Sequence, residues 1–443
     1  MPITLHGVDD ALLDELIEWL RIPSISTGEP DPGGLRDAAE WVGERVRSAG
    51  GEAEVVATSR NPLAVGELPA AREGAPTVLI YGHYDVQSIG DPAAWESPPF
   101  EPTVRGGRLY ARGASDDKGN FLPLLHVACE LAKENALPVN VRVLVEGEEE
   151  AGSEAVAKWI RSDERKADAA IVFDGGMADE GTPAITVGLR GVIMCGITVR
   201  TAERDLHSGI YGGAVLNALH VLHALLAEVL PGPDGLVREE LRKGIEPPAP
   251  SELESWKLLK PGAEVIAEVG GRPVSPGAGD DYYRRNGADA SVELNELTGG
   301  EPRTVVPAGA HATISMRLAP RQRSAEMQAE LERLMRSALP EGAEVDFVWH
   351  PAEPALSDPE SLPIKLAVEA LERATGMTTA VVRTGGSIPA VAELMGRGIP
   401  TIVSGFTLPD DAFHAPNESY RVESLRLGER AARELYSALA ALR

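Results

Sequence analysis

The segment Val143-Leu144-Val145-Glu146-Gly147-Glu148-Glu149-Glu150-Ala151-Gly152 runs from an apolar stretch straight into carboxylates, then into small residues that can open a helix. Like charges crowded at a strand end repel one another, so the fold must bring a counter-charge to that point. Taken alone, an acidic run is ordinarily a solvated face. Three more apolar runs end in residues of metal-ligand type: Thr77-Val78-Leu79-Ile80-Tyr81-Gly82-His83, Leu109-Tyr110 leading to Asp116, and Ala169-Ala170-Ile171-Val172-Phe173-Asp174. Together these runs form a ligand set that calls for a cation.

The rest of the composition narrows the setting. At 443 residues, two domains are the natural expectation, and 43% hydrophobic with 25% charged residues supplies ample core for a soluble globular chain. A formal net charge of -26 argues against nucleic acid or an anionic membrane as partner, since both call for clustered Lys and Arg. No run approaches the roughly 18 apolar residues of a membrane span. Met1-Pro2-Ile3-Thr4-Leu5 lacks a charged start and an apolar signal region, so a cytoplasmic location is expected. Cys129 and Cys195 each sit in an apolar segment and read as free buried thiols rather than a disulfide framework.

Helical and strand patterns alternate in the first part of the chain. Helices are expected from Ala11 to Leu20 behind the cap candidates Asp9 and Asp10, from Arg36 to Val46, and over 119–134; strands are expected at 53–57, 62–66, 77–82, 139–145 and 168–173. This is an α/β series with a mostly parallel sheet, in which ligands bind beyond the carboxyl ends of the strands. After Thr182-Pro183 the character changes. A strand from Ile185 to Val199, a helix from Ala214 to Leu230, a Pro/Gly-rich stretch over 231–276, strands at 290–297 and 309–318, a helix at 323–338 and a strand at 343–349 give a βαββαβ order. From Leu356 the αβ alternation returns. The expected organisation is a first domain in two parts, 1–185 and 355–443, with an α+β domain inserted at 186–354.

Particular residues carry the chemistry. In Gly82-His83-Tyr84-Asp85 the carboxylate two residues on faces the same side of an extended chain, where it can hold one ring nitrogen of His83. In Ser115-Asp116-Asp117-Lys118-Gly119 the paired Asp residues can cap the following helix, bind metal, or divide the two tasks. Side chains of the adjacent Glu149 and Glu150 diverge, so one can bind metal while the other faces water as general base. Ala412-Phe413-His414-Ala415-Pro416-Asn417-Glu418 adds a second imidazole in the loop after the strand at 400–403. Carboxylate oxygen with imidazole nitrogen suits zinc, manganese or cobalt, and the lack of thiolate candidates argues against a closed structural zinc site.

With those motifs in place, the chain resembles the M20 family of dinuclear metallopeptidases over nearly its whole length, and looks most like its dipeptidase and carnosinase-like branch. The resemblance implies two divalent ions, zinc first with manganese or cobalt as alternatives. His83 and Asp174 would hold one ion, Glu150 and His414 the other, and Asp116 would bridge them, joined to Asp117 by a cis peptide. Glu149 would be the general base acting on a metal-bridging water, and Asp85 would orient His83. In the inserted segment, Asp205-Leu206-His207-Ser208-Gly209 resembles the lid motif whose histidine polarises the scissile carbonyl, often across a homodimer formed through the lid. Arg317 resembles the lid arginine that receives the substrate carboxylate. Gly385, Gly386 and Ser387 resemble a glycine-rich substrate loop. Without the resemblance, His207 reads as a turn residue and Arg317 as a solvated strand charge.

The expected reaction is hydrolysis of the amide bond of a dipeptide or short peptide. An N-acyl-amino-acid deacylase, a desuccinylase or a carboxypeptidase would use the same metal core. A non-catalytic metal-dependent binding protein is the rival from outside the hydrolases, and an intact Glu149 beside the ligand set argues against it. His6, His126, His220, His223, His311 and His350 match none of the motifs.

Overall fold

In a computed structural model, the structure describes residues 10–442. Asp9 and His6 lie outside the described residues. The main sheet is nine-stranded among the described residues, in the order Glu52–Val56, Leu63–Leu68, Asn140–Glu146, Thr77–His83, Ala169–Phe173, Thr401–Ser404, Ala184–Leu189 and Ala355–Leu356, with Ala380–Thr384 paired to Ala184–Leu189. Its four central strands, Asn140–Glu146 through Thr401–Ser404, run parallel, while antiparallel pairs lie toward both flanks. The expected parallel sheet is thus present where the ligand-bearing strands are.

These central strands read as unbroken apolar runs because both faces are covered. Val78, Ile80, Val143, Val145, Ile171 and Phe173 point into a core with the helices Lys118–Lys133 and Val422–Leu439; Leu79, Tyr81, Leu144, Ala170 and Val172 point the other way, toward Glu154–Ser162 and Pro389–Gly396. Alternate residues serve opposite layers, as strand geometry requires. With the strands parallel, their carboxyl ends gather at one edge of the sheet.

The chain from Gly191 to Ala352 builds a second, four-stranded sheet in the order Ser291–Gly299, Gly309–Leu318, Gly191–Arg200, Glu344–Ala352, with every neighbouring pair antiparallel. Helices Ala218–Ala227 and Ser324–Ser337 pack on one face of it, giving the βαββαβ order. The Asn217 side chain caps the first of these helices by accepting from Leu219 N and His220 N, which moves its start inward from the expected Ala214.

What reads in the sequence as one strand over 185–199 is two. Ala184–Leu189 belongs to the large sheet and Gly191–Arg200 to the small one, with the change of sheet at Arg190. Apolar residues resume at once beyond the break, and its local signal is the Arg190-Gly191 pair. A side chain at Gly191 would lie 2.6 Å from the Ala352 carbonyl oxygen and 2.7 Å from Pro354 N, so only glycine lets the outgoing and returning chain pass this close. No helix among the described residues is long and apolar enough to cross a membrane.

Candidate metal centre

Five segments of the chain deliver the ligand-type residues to one place. His83 ends the strand Thr77–His83, Asp174 follows Ala169–Phe173, and Glu149 and Glu150 form a short turn, Glu149–Ala151, just beyond Asn140–Glu146. Asp116 precedes the helix Lys118–Lys133, and its peptide bond to Asp117 is cis. His414 comes from the loop before Ser419–Arg421. Two groups result: His83, Asp116 and Asp174 offer ligand atoms within 4.8 Å of one another, and so do Asp116, Glu150 and His414. Asp116 belongs to both.

The contacts inside the cluster are direct. His83 Nε2 lies 3.0 Å from Asp116 Oδ1, and His414 Nε2 lies 2.9 Å from Asp116 Oδ2 and 3.1 Å from Glu150 Oε2. The second nitrogen of His83, Nδ1, is 2.9 Å from the Asp85 backbone carbonyl and 3.5 Å from its carboxylate. A partner on Nδ1 leaves Nε2 to face the cluster. The Asp85 carboxylate also accepts from Ser26 Oγ at 2.6 Å and from the amides of Glu149 and Glu150 at 3.2 Å. One aspartate therefore organises both the histidine and the acidic turn.

Asp117 takes neither of its two open readings, cap or metal ligand. It stands at the N-cap position but makes no capping bond. Instead its Oδ2 accepts from the His83 amide at 3.2 Å, fastening the Asp116–Asp117 loop to the end of the neighbouring strand. The other acidic-run residues are supports. Glu146 accepts from Tyr81 Oη at 2.5 Å and Ser153 Oγ at 2.9 Å, and Glu148 accepts from Ala155 N at 2.6 Å; both are buried rather than solvated.

The electrostatics of this cluster are those of carboxylates short of positive charge. Burial, with Asp116, Glu146 and Glu150 nearby and only His83 opposing, pushes Glu149 up to about 8. Burial likewise drives Asp174 well above the carboxylate range. Burial opposes ionisation of Asp116 too, but hydrogen bonds from His414 and His83 hold it well below its usual value. Bonds to Asp116 and then Glu150 raise His414 to about 10. Divalent cations would relieve this crowding. The donor set, imidazole nitrogen and carboxylate oxygen, fits zinc, manganese or cobalt, and each group is compact enough for donors about 2 Å from a common ion. Cys129 and Cys195 lie in separate apolar cores and supply no thiolate.

The cluster opens into a cleft of about 690 Å³ whose lining includes Asp116, Glu149, Asp174 and His414. The facing wall includes Leu259, Val265, Tyr282, Tyr283 and Asn286, all from the part of the chain that follows the Pro247-Pro248 pair. Gly386 and Ser387 also line this cleft. Gly385 packs behind it, where a side chain would lie 2.7 Å from Asn286 Oδ1. The loop is anchored by Arg383, whose buried guanidinium makes paired bonds of 2.6 and 2.9 Å to the buried Glu252.

Two expected residues are not brought to the cluster. His207 is exposed, its Nδ1 accepts from Gly209 N at 3.1 Å, and it does not line the cleft. Arg317 lies half-buried in Gly309–Leu318, paired in register with Ser291, and does not line the cleft either. Conversely, Gln87 was not singled out in the sequence, yet its Nε2 donates to Glu150 Oε2 at 2.8 Å while Thr27 Oγ1 holds its Oε1 at 2.8 Å. Its position four residues past His83 was the available signal.

A profile of Peptidase family M20/M25/M40 matches residues 79–438. Among individual proteins, the chain is 28% identical over 374 residues to a cysteinylglycine-S-conjugate dipeptidase of Corynebacterium striatum, covering 81% of this chain and 79% of that one. It is 25% identical over 450 residues to a Beta-Ala-His dipeptidase of Homo sapiens, covering 94% and 87%. Among solved structures, an M20 family metallo-carboxypeptidase of Sulfolobus solfataricus superposes with a TM-score of 0.84 at 26% identity, covering 97% of this chain and 99% of that one.

Proposed function

This chain belongs to peptidase family M20/M25/M40, and on that footing we propose that it hydrolyses the amide bond of dipeptides or short peptides at the centre built around Asp116. The observation that carries the proposal is the pair of ligand groups sharing Asp116 while Glu149 lines the same cleft. Relatives described as dipeptidases, alignable over about four-fifths or more of this chain, support the substrate class.

In this reading His83, Asp116 and Asp174 hold one divalent ion, and Asp116, Glu150 and His414 hold the other, zinc first with manganese or cobalt as alternatives. Bound there, the ions would supply Lewis acidity, polarising the scissile carbonyl and easing loss of a proton from water. Glu149 is the proton carrier. Its carboxylate lines the cleft and belongs to neither ligand group, which leaves it available to take a proton from the attacking water and pass it to the leaving nitrogen. Asp85 keeps His83 oriented and the Glu149–Glu150 turn in place. Gly386 and Ser387 offer polar groups to the substrate from the cleft wall.

Arg317 and His207 enter the proposal differently, since neither lines the cleft of its own chain. We assign His207 to the site of a second copy in a homodimer formed through the inserted domain, where it would stabilise the oxyanion, and Arg317 to the substrate carboxylate. The free buried cysteines fit a reducing compartment, so a cytoplasmic location is part of the proposal.

The test is a substrate panel run on chelated protein and on protein reloaded with zinc, manganese or cobalt. Cys-Gly, β-Ala-His and apolar dipeptides should be hydrolysed faster than N-acetyl or N-succinyl amino acids, and only by the reloaded protein. Metal uptake with no turnover of any member would sink the proposal. A carboxypeptidase is the second reading, favoured by the metallo-carboxypeptidase superposition. Faster release of the C-terminal residue from N-blocked peptides than cleavage of free dipeptides would select it.

A further inference from the structure

Glu418 lies four residues past His414 and is fully buried, yet it takes no part in the chemistry above. Its two carboxylate oxygens collect five donors. Oε1 accepts from Ser115 N at 2.9 Å, Ser115 Oγ at 3.0 Å and Asp116 N at 3.1 Å; Oε2 accepts from Arg112 Nη1 at 2.7 Å and Gly113 N at 2.9 Å. Three backbone amides of one short loop thus converge on one side chain. Gly113, with φ of +82°, supplies the left-handed turn that lets them do so.

The partners of Glu418 connect every ligand-bearing loop of one ion group. Asp116 is held through its own amide. The guanidinium of Arg112, itself fully buried, continues from Glu418 to the Ser88 carbonyl at 3.0 Å, beside Gln87, which donates to Glu150. His414 is on the same loop as Glu418, and that loop turns through three non-glycine residues of positive φ, Ala412, His414 and Asn417. A loop of that shape keeps its conformation only when its surroundings over-determine it. Glu418 supplies such a constraint at one end.

We propose that Glu418 is a positioning residue for the metal centre: it sets where Asp116 stands relative to His414, and so governs both ion sites together. The inference rests on the metal reading of the cluster. Because Asp116 is common to both groups, an error in its placement reaches both ions. Of the ligand residues, Gln87 bonds to Glu150, a member of one group, so its loss reaches one. A residue that merely stabilised the fold would lower the melting temperature without separating these two patterns.

The experiment is calorimetric titration of metal-free protein with zinc alone, and separately with manganese alone, for the wild type, Glu418→Gln and Gln87→Ala. The amide of Glu418→Gln turns a donor toward amides that need an acceptor. Wild type should take up two ions; Glu418→Gln should weaken both by about 10–100-fold, the cost typical of losing a group that orients a ligand. Gln87→Ala should weaken one. Unchanged affinity at both sites in Glu418→Gln, or loss at only one, overturns the positioning role. Should Glu418→Gln not fold, Ser115→Ala removes a single donor to Oε1 and decides the matter: weaker binding at both sites supports the role, and no change overturns it. Wild type that binds no ion fails the metal reading itself, whereas wild type binding two ions beside an unaffected Glu418→Gln fails only the present inference.

Discussion

His83 and His414, from opposite ends of the chain, present their Nε2 atoms to the two oxygens of the same carboxylate, Asp116, at 3.0 and 2.9 Å. One oxygen faces the histidine of each candidate ligand group, so the two groups meet at a single side chain.

Asp116→Asn tests that join. An amide offers one oxygen and no charge, so it cannot serve both groups. Metal content of the purified variant should fall at both sites, each affinity dropping by more than the roughly 10–100-fold cost of an outer partner. Asp174→Asn should empty only the site shared with His83. Two ions retained by Asp116→Asn would remove Asp116 from the bridging role.

Glu149→Gln separates metal binding from proton transfer. The amide is nearly isosteric and none of the ligand groups includes Glu149. Two ions should bind as in wild type, while kcat for a dipeptide falls by about 10²–10⁴-fold, the range of a lost general base. Wild-type-like turnover would take the base role from Glu149.

Glu146 makes the stability of the metal-free protein depend on pH. Burial pushes its pKa up to about 8, against the opposing bond from Tyr81, whereas the unfolded value is near 4.5. Between those values the folded chain keeps a proton that the unfolded chain has released. Stability from this group is therefore complete below about 4.5 and is lost as pH rises through about 8. Glu146→Gln keeps the Oε1 acceptor for Tyr81 and Ser153 but cannot ionise. Denaturant melts in chelator should show the wild type losing on the order of a few kcal/mol from pH 5 to pH 9 relative to this variant. Parallel profiles for the two proteins would contradict the assignment.

Phe413 tests the character of the cleft. It lines the cavity, is 47% exposed, and its ring stands edge-on to His414 with centroids 5.9 Å apart. Truncating an exposed ring should leave the melting temperature within a degree or two, since surface changes are usually within about 0.5 kcal/mol. For dipeptides with a bulky apolar side chain, kcat/KM should fall about 10-fold or more in Phe413→Ala, with Gly-Gly little affected. Equal losses for both substrates would show that the ring acts on the centre rather than on the side chain.

The legible part of this molecule was the part where local pattern and tertiary role coincide. Thr77–His83, Asn140–Glu146 and Ala169–Phe173 are buried on both faces, so each appears as an apolar run, and the polar residue that stops the run marks the functional edge. His83, Glu149, Glu150 and Asp174 could be picked out for that reason. Residues whose role depends on distant chain could not. Nothing local to Glu418 announces that it will meet the amides of the 113–116 loop, and nothing in the 259–286 stretch says that Leu259 and Tyr282 will face a carboxylate cluster. The break at Arg190 was hidden because apolar side chains resume directly after the Arg190-Gly191 pair, even though they serve different sheets on either side.

The close passage of Gly191 against Ala352 and Pro354 bears on how such a chain can change over time. The chain departs from the large sheet and comes back to it at neighbouring points. Because closing a longer loop costs only slowly more entropy, the intervening segment can lengthen, shorten or be remodelled with little penalty to the strand register beneath. The strands that hold the carboxylates can thus keep their register while the segment between those two touching points, which supplies Leu259, Tyr282 and Asn286 to the cleft, is redrawn.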